Sequence, residues 1–278
     1  MIRRAVLPLH SADGYMMELP DFDLYGQGRS SQRGCNVVID FHTHILPGID
    51  DGSRDTGMTE AMLREEKRQG VELVVATPHF YANRTSIDAF LTRRDAALEK
   101  TEHVRREAAE ALPEIMTGAE VYYFQGMGRA DGVSRLVVGD TRTLLLEMPF
   151  EQWKDGVLKD VEDLIRKQKL NIVLAHIERY WEFQRDRRVW NRVFDLPLTP
   201  QINAGSFIKK RGLFHSDRKR RFCMDFLAEH PRLIVGSDCH NMEGRVPNMA
   251  GARAAIEAEL GARALKDIEK TTREALGL

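Results

Sequence analysis

The chain has 278 residues, about right for one large α/β domain, and 42% of them are apolar, enough for a sizeable core. Its 41 basic and 42 acidic residues leave a net charge of -1, which excludes a global pull toward nucleic acid or an anionic membrane. Three cysteines without a CxxC pair, no apolar run of the roughly 18 residues a bilayer span needs, and an N-terminal stretch broken at Pro8 and His10 point to a reduced, cytoplasmic protein without membrane insertion.

Residues 1–36 hold Pro8, Pro20 and the polar run Gly26–Gly34 with no sustained period. They read as an N-terminal extension, either disordered or packed on the domain that runs from 37 to 278. From there the chain alternates. Predicted strands are Val37–Phe41, Val71–Thr77, Ile115–Tyr122, Thr143–Met148, Asn171–His176, Leu198–Asn203 and Arg232–Ser237. Predicted helices are Glu60–Gln69, Ser86–Ala111, Asp155–Lys169, Asp217–Glu229 and Ala250–Glu269. Continuous apolar strands separated by helices argue for a parallel sheet. Seven of them suit a β/α barrel or a doubly wound sheet.

Chemistry gathers at the strand ends. The first strand runs into Asp40-Phe41-His42-Thr43-His44 and the second into His79. The third carries Glu120, the fourth Glu147, the fifth ends at His176, and the seventh runs into Asp238-Cys239-His240. In a β/α barrel such side chains converge on one mouth. Imidazoles and carboxylates together suit zinc, manganese or iron, and carboxylates gather in a buried mouth only around a compensating cation. Residues i and i+2 of a strand face the same way, so His42 and His44 can reach one ion. A lone HxH or strand-end histidine is often a satisfied core residue, and Glu120 and Glu147 taken singly are ordinary salt-bridge partners. Six of seven strands ending in a metal-competent residue is the observation that argues for a metal centre. His10, His103, His215 and His230 read as non-ligands.

Cys239 and Arg245 also have the Cys-x5-Arg spacing of thiol-dependent tyrosine phosphatases. Bulky Met242 and repelling Glu243 suit a phosphate-cradling loop poorly, and Asp238 beside the thiol would weaken it. The same stretch is explained by Asp238-x-His240 ligation.

HTHILPGIDDG (His42–Gly52), ATPH (Ala76–His79), TGAEVYY (Thr117–Tyr123), LLLEMPF (Leu144–Phe150), LAHIERY (Leu174–Tyr180) and GSDCHNMEGRVP (Gly236–Pro247) resemble the polymerase-and-histidinol-phosphatase, or PHP, superfamily. More narrowly they resemble its bacterial protein-tyrosine phosphatases of capsule and exopolysaccharide systems. The likeness runs from Val37 to the C-terminus and leaves out residues 1–36. It implies a distorted seven-stranded TIM-like β/α barrel of the PHP type, in a single domain, with up to three divalent metal ions: manganese, with iron or zinc as alternatives. Carried over, His42, His44, Glu120 and Asp238 would hold one ion. Glu120, Glu147 and His176 would hold a second. Asp51, or Asp50 in its place, would hold a third with His79 and His240. Asp40 would orient a ligand histidine.

Such a site fits hydrolysis of a phosphomonoester by a metal-activated hydroxide. Arg179 and Arg245 follow the fifth and seventh strands, where family members also carry arginine. A guanidinium fork matches phosphate, though each could instead pair with Glu178 or Glu243. The implied substrate is phosphotyrosine on a protein, and the implied partner an autophosphorylating bacterial tyrosine kinase. Tyr122, Tyr123, Phe150, Trp153 and Trp181 either frame the aromatic substrate or pack the rim. The basic runs Lys209–Arg211 and Arg218–Arg221 are a solvated face or steer an acidic tail. The competing readings are a histidinol-phosphate-type phosphatase or phosphodiesterase on the same metals, and a non-catalytic binding module.

Overall fold

A computed structural model describes residues 37–209 and 217–278. The extension at 1–36, with His10 and Cys35, and residues 210–216, with His215, lie outside it. Strand β1 (Val38–Thr43) is buried along its whole length, as expected of a strand covered on both faces. Helix α1 (Thr56–Arg68) starts four residues before its predicted Glu60, because Asp55 accepts the Met58 N–H at 2.8 Å and caps it. Strands β2 (Val71–Ala76) and β3 (His79–Phe80) are one stave interrupted at Thr77-Pro78. Helix α2 (Ile87–Glu107) follows, capped by Ser86. Strands β4 (Glu114–Thr117) and β5 (Glu120–Tyr122) form a second interrupted stave.

Strand β6 (Thr143–Glu147), helix α3 (Asp155–Arg166) and strand β7 (Asn171–Leu174) come next. Helix α3 turns Val157, Leu158, Val161 and Leu164 to the core at helical spacing. Helix α4 (Arg187–Phe194) was not predicted: its eight residues bury only Val189, Trp190 and Val193 within a basic sequence. Strand β8 (Thr199–Asn203), helix α5 (Arg218–Glu229) and strand β9 (Ile234–Gly236) complete the barrel. The helix predicted over 250–269 is two helices, α6 (Met249–Leu260) and α7 (Ala262–Leu276). They break at Gly261, whose φ of 81° and ψ of 167° only glycine adopts freely.

Among the described residues every strand pair is parallel: β1–β2, β2–β4, β3–β5, β5–β6, β6–β7, β7–β8 and β8–β9. The ladder then returns to its start. The Asp238 N–H donates to the His42 carbonyl at 2.8 Å and the His44 N–H to the Cys239 carbonyl at 2.9 Å. With the interrupted staves each counted once, this is the distorted seven-stranded barrel expected from the sequence. Ile39, Phe41, Val75, Leu145, Val173 and Ile234 fill its interior, with Leu276 of α7 packed among them. A second, larger cluster joins the outer strand faces to the helices.

One irregularity positions the site. The β1–β2 register shifts between Asp40 and Thr43. Ile39 and Phe41 face the interior, while Asp40 faces outward to Glu66 of α1. Strict alternation would send His42 outward after Asp40; the bulge turns it into the mouth instead.

Candidate metal centre

Glu120 lies at the middle of the mouth. Its Oε2 is 3.2 Å from His42 Nε2, 3.3 Å from His44 Nε2 and 2.9 Å from His79 Nδ1. Its Oε1 is 2.8 Å from His176 Nε2. Asp238 Oδ1 stands 3.6 and 3.4 Å from the same two β1 imidazoles. Glu147 reaches His176 at 3.6 Å and His79 at 3.7 Å. Asp51 Oδ1 stands 3.4 Å from His79 Nε2 and 3.5 Å from His240 Nε2. All nine residues predicted as ligands therefore meet in one mouth, each from the carboxyl end of its strand or the loop beyond.

Three overlapping groups bring their ligand atoms within 4.8 Å of one another: His42, His44, Glu120 and Asp238; His79, Glu120 and Glu147; His44, Asp51, His79 and His240. The sequence reading placed His176, not His79, with Glu120 and Glu147. Both reach that pair, because His79 turns Nδ1 toward Glu120 and Nε2 toward Asp51.

Buried atoms facing the mouth have no hydrogen-bond partner, among them Glu120 Oε2, Glu147 Oε2, Asp238 Oδ1, His79 Nδ1 and His240 Nε2. Orphaned buried carboxylate oxygens are costly, and divalent cations satisfy them. The charge states agree. Burial opposes protonation of His42, yet the Glu120 and Asp238 carboxylates outweigh it and raise its pKa. His44 goes well above its usual value against the same opposition, through hydrogen bonds to Asp238 and Asp50. Burial and the adjacent Glu120 charge push Glu147 up to about 7. His42, His44 and Glu147 thus hold protons more tightly where a cation fits, while the neighbouring Glu120 and Asp238 carboxylates are driven to their charged forms.

The residues behind the mouth orient these groups. Asp50 Oδ2 accepts from His44 Nδ1 at 2.8 Å and from the His79 N–H at 3.0 Å. That leaves Asp51 as the carboxylate facing His79 and His240. Gln201 Oε1 lies 3.3 Å from His42 Nδ1 and accepts the His176 N–H at 2.7 Å. Its amide donates to Asn203, which donates to Asp238 Oδ2 at 2.7 Å. Asp40 accepts the backbone N–H groups of His42 and Ser237, so it braces the β1–β9 junction rather than a histidine ring, contrary to expectation.

Residues 38–276 match the family model described as capsular polysaccharide synthesis, CpsB/CapC. The chain belongs to this family. It is 30% identical over 230 residues to the tyrosine-protein phosphatase YwqE of Bacillus subtilis (strain 168), covering 81% of this chain and 85% of that one. It is 27% identical over 239 residues to the tyrosine-protein phosphatase CpsB of Streptococcus pneumoniae, covering 83% and 94%. Among solved structures it is similar, at a TM-score of 0.73 and 26% identity, to one from work on YwqE and CpsB as metal-dependent tyrosine phosphatases. That likeness covers 86% of this chain and 94% of the other.

In this CpsB/CapC-family chain both predicted arginines point at the mouth. Arg245 Nη2 is 2.7 Å and Arg179 Nη1 3.6 Å from Asp238 Oδ2. Arg179 also lies over the Phe150 ring, at 4.7 Å. Neither takes its sequence neighbour: Glu178 turns away to Ser206 and Asn203. The thiol route fails on geometry. Cys239 is fully buried, and burial with Glu66 and Asp40 nearby pushes its pKa well above the usual thiol value. Asn241 Oδ1 accepts the N–H groups of Glu243, Gly244 and Arg245, so those three amides are already engaged and do not cradle phosphate.

The aromatic frame divides. Phe150 lies 6.1 Å from His176, and Tyr122 lies 5.5 Å from Tyr81. Trp153 is buried and donates to the Pro149 carbonyl, Tyr123 donates to Asp160, and Trp181 stacks on Phe222. Those three are packing. Tyr81, not predicted, stands 5.3 Å from His79. Gln201 and Asn203 were also missed. Their signal was present: two amides in a buried strand, and the one predicted strand without a metal-competent end.

Proposed function

We propose that the protein is a metal-dependent protein-tyrosine phosphatase acting in capsular or exopolysaccharide biosynthesis, with residues 37–278 as its catalytic domain. The observation that carries this reading is the convergence of five imidazoles and four carboxylates around orphaned buried atoms, with two arginines on the rim. His42, His44, Glu120 and Asp238 hold one ion; Glu120, Glu147 and His176 a second; Asp51, His79 and His240 a third. Manganese is the metal we favour. Bound ions would neutralise phosphate oxygens and acidify a water near neutral pH.

The chain's own residues do the rest. Arg179 and Arg245 converge on one carboxylate oxygen, so both guanidinium groups can grip a single phosphoryl group beside it. Asp50 and Gln201 fix the imidazole orientations. Phe150 and Tyr122 border the place of an aromatic ester. We place the protein in the cytoplasm, acting on an autophosphorylating bacterial tyrosine kinase. Among the described residues no helix is long and apolar enough to cross a membrane.

The test is a substrate panel with metals varied. Chelation should abolish hydrolysis of a phosphotyrosine peptide, Mn²⁺ should restore it, and Cys239→Ser should retain it. Histidinol phosphate should be the poorer substrate. Activity that survives EDTA but is lost in Cys239→Ser would sink the metal mechanism.

A further inference from the structure

The strongest feature that the metal centre leaves unused is a cleft of about 700 Å³ running from the mouth across the ends of β8 and β9 to α5. Asp238 and Arg245 belong to both cleft and mouth, so the two are continuous. Lys209, Lys219 and Arg220 line the outer part. They come from the two basic runs noted in the sequence. Lys209 and Lys219 are exposed and form no ion pair among the described residues, although the Lys219 charge also acts on buried Glu178. Arg220 is tied to the Phe207 carbonyl and to Glu259.

The opposing charges are largely engaged. Asp238 takes Arg245, and Glu178 under the floor takes Ser206 and the Asn203 N–H. Asp217 sits on the rim. Asn248, also lining the cleft, keeps a buried Oδ1 without a hydrogen-bond partner. That atom is an acceptor. It suits a backbone N–H and repels a bare anion.

An acceptor for peptide N–H beside two exposed ammonium groups describes one kind of occupant. We propose that this cleft binds the chain flanking the phosphotyrosine and selects acidic residues there, with Lys209 and Lys219 as specificity-determining residues. The proposal rests on the phosphotyrosine-protein reading above. With the phosphoryl group held at Arg179 and Arg245, the substrate's neighbouring residues enter the cleft past Asp238.

The experiment compares phosphotyrosine peptides whose flanks, on one side and then the other, are acidic, neutral or basic, with p-nitrophenyl phosphate as a flank-free control. The manganese-loaded protein should favour acidic over neutral flanks on one side by about fivefold to thirtyfold in kcat/KM, mostly through KM, as two partly exposed ion pairs allow. The preference should shrink as salt rises. In K209E/K219E it should vanish or reverse while p-nitrophenyl phosphate turnover is unchanged. Equal cleavage of all flanks, or a preference that survives in K209E/K219E, overturns the proposal. If that variant fails to fold, the salt dependence of the wild-type preference decides: a salt-insensitive preference overturns it equally. If the wild-type protein cleaves p-nitrophenyl phosphate but no peptide, the protein-phosphatase reading falls and takes the cleft with it.

Discussion

Glu120 touches four imidazoles, yet the orientation of those rings depends on residues that touch no ion site. Gln201 serves two of them, through the His42 ring and the His176 backbone. Supporting groups of this kind commonly contribute tenfold to a hundredfold in metal affinity. Gln201→Ala should therefore weaken Mn²⁺ binding by about that factor in calorimetric titration, with the fold intact by circular dichroism. Unchanged affinity would make Gln201 a mere filler. Behind β1, Glu66 and Asp40 face each other with no basic partner in hydrogen-bond reach among the described residues, and burial followed by the Asp40 charge raises the Glu66 pKa well above its usual 4.5. A carboxyl group with a raised folded pKa contributes stability below its unfolded value, and loses it as pH rises toward the folded one. Thermal stability should consequently fall more steeply with rising pH above about 4.5 in the wild type than in Glu66→Gln, which keeps the shape without the titrating proton. Parallel pH profiles would show that this pair is not what titrates. At this scale the residues that converge on the mouth were legible, while the amides behind them were passed over. A histidine at a strand end advertises itself, whereas Gln201 is recognised only once β8 is known to be buried. Asp50 and Asp51 separate only in three dimensions, because the turn after His44 sends one inward to the ring and leaves the other at 67% side-chain exposure.

The elements repeat this pattern. All seven strands were legible, since buried parallel strands are short apolar runs. Helix ends were less so: α1 begins at a cap the periodicity did not weigh, and α4 hides three apolar residues among arginines. The bulge in β1 had no sequence signal, and it decides that His42 rather than Asp40 enters the mouth. Close approach of β9 is part of the same joint. A Cβ on Gly236 would lie 2.6 Å from the His42 Cβ, so this position has room only for glycine. At the far end of the chain, Gly261 ends one helix and starts the next in a backbone region that costs other residues about 1–3 kcal/mol. Gly261→Ala should lower Tm by roughly 2–10 °C in calorimetry. A change within error would mean that α6 and α7 can rejoin into the single helix that periodicity favours.

For the whole molecule, the mouth concentrates buried charge that the barrel alone leaves incompletely paired. An ion that binds only the folded state stabilises it by mass action, about 2.7 kcal/mol when present at a hundred times its dissociation constant. Chelation should lower Tm by several degrees and Mn²⁺ should restore it. Identical melting with and without chelator would argue that the cluster holds no ion. The alternation of strands and helices followed from the sequence pattern, and the choice of a barrel over a doubly wound sheet followed from the resemblance to the PHP superfamily. The closure of β9 onto β1 did not, because it is a contact between the two ends of the domain.

That closure has a consequence for how the protein comes into being. His42 and His44 are synthesised long before Asp238 and His240, and the hydrogen bonds joining β1 to β9 are the same ones that bring these four together. A nascent or prematurely terminated chain has the first half of a metal centre and no second half. Hydrolytic competence is thus tied to completion of the barrel, and an unfinished product is inert toward the cell's phosphoproteins.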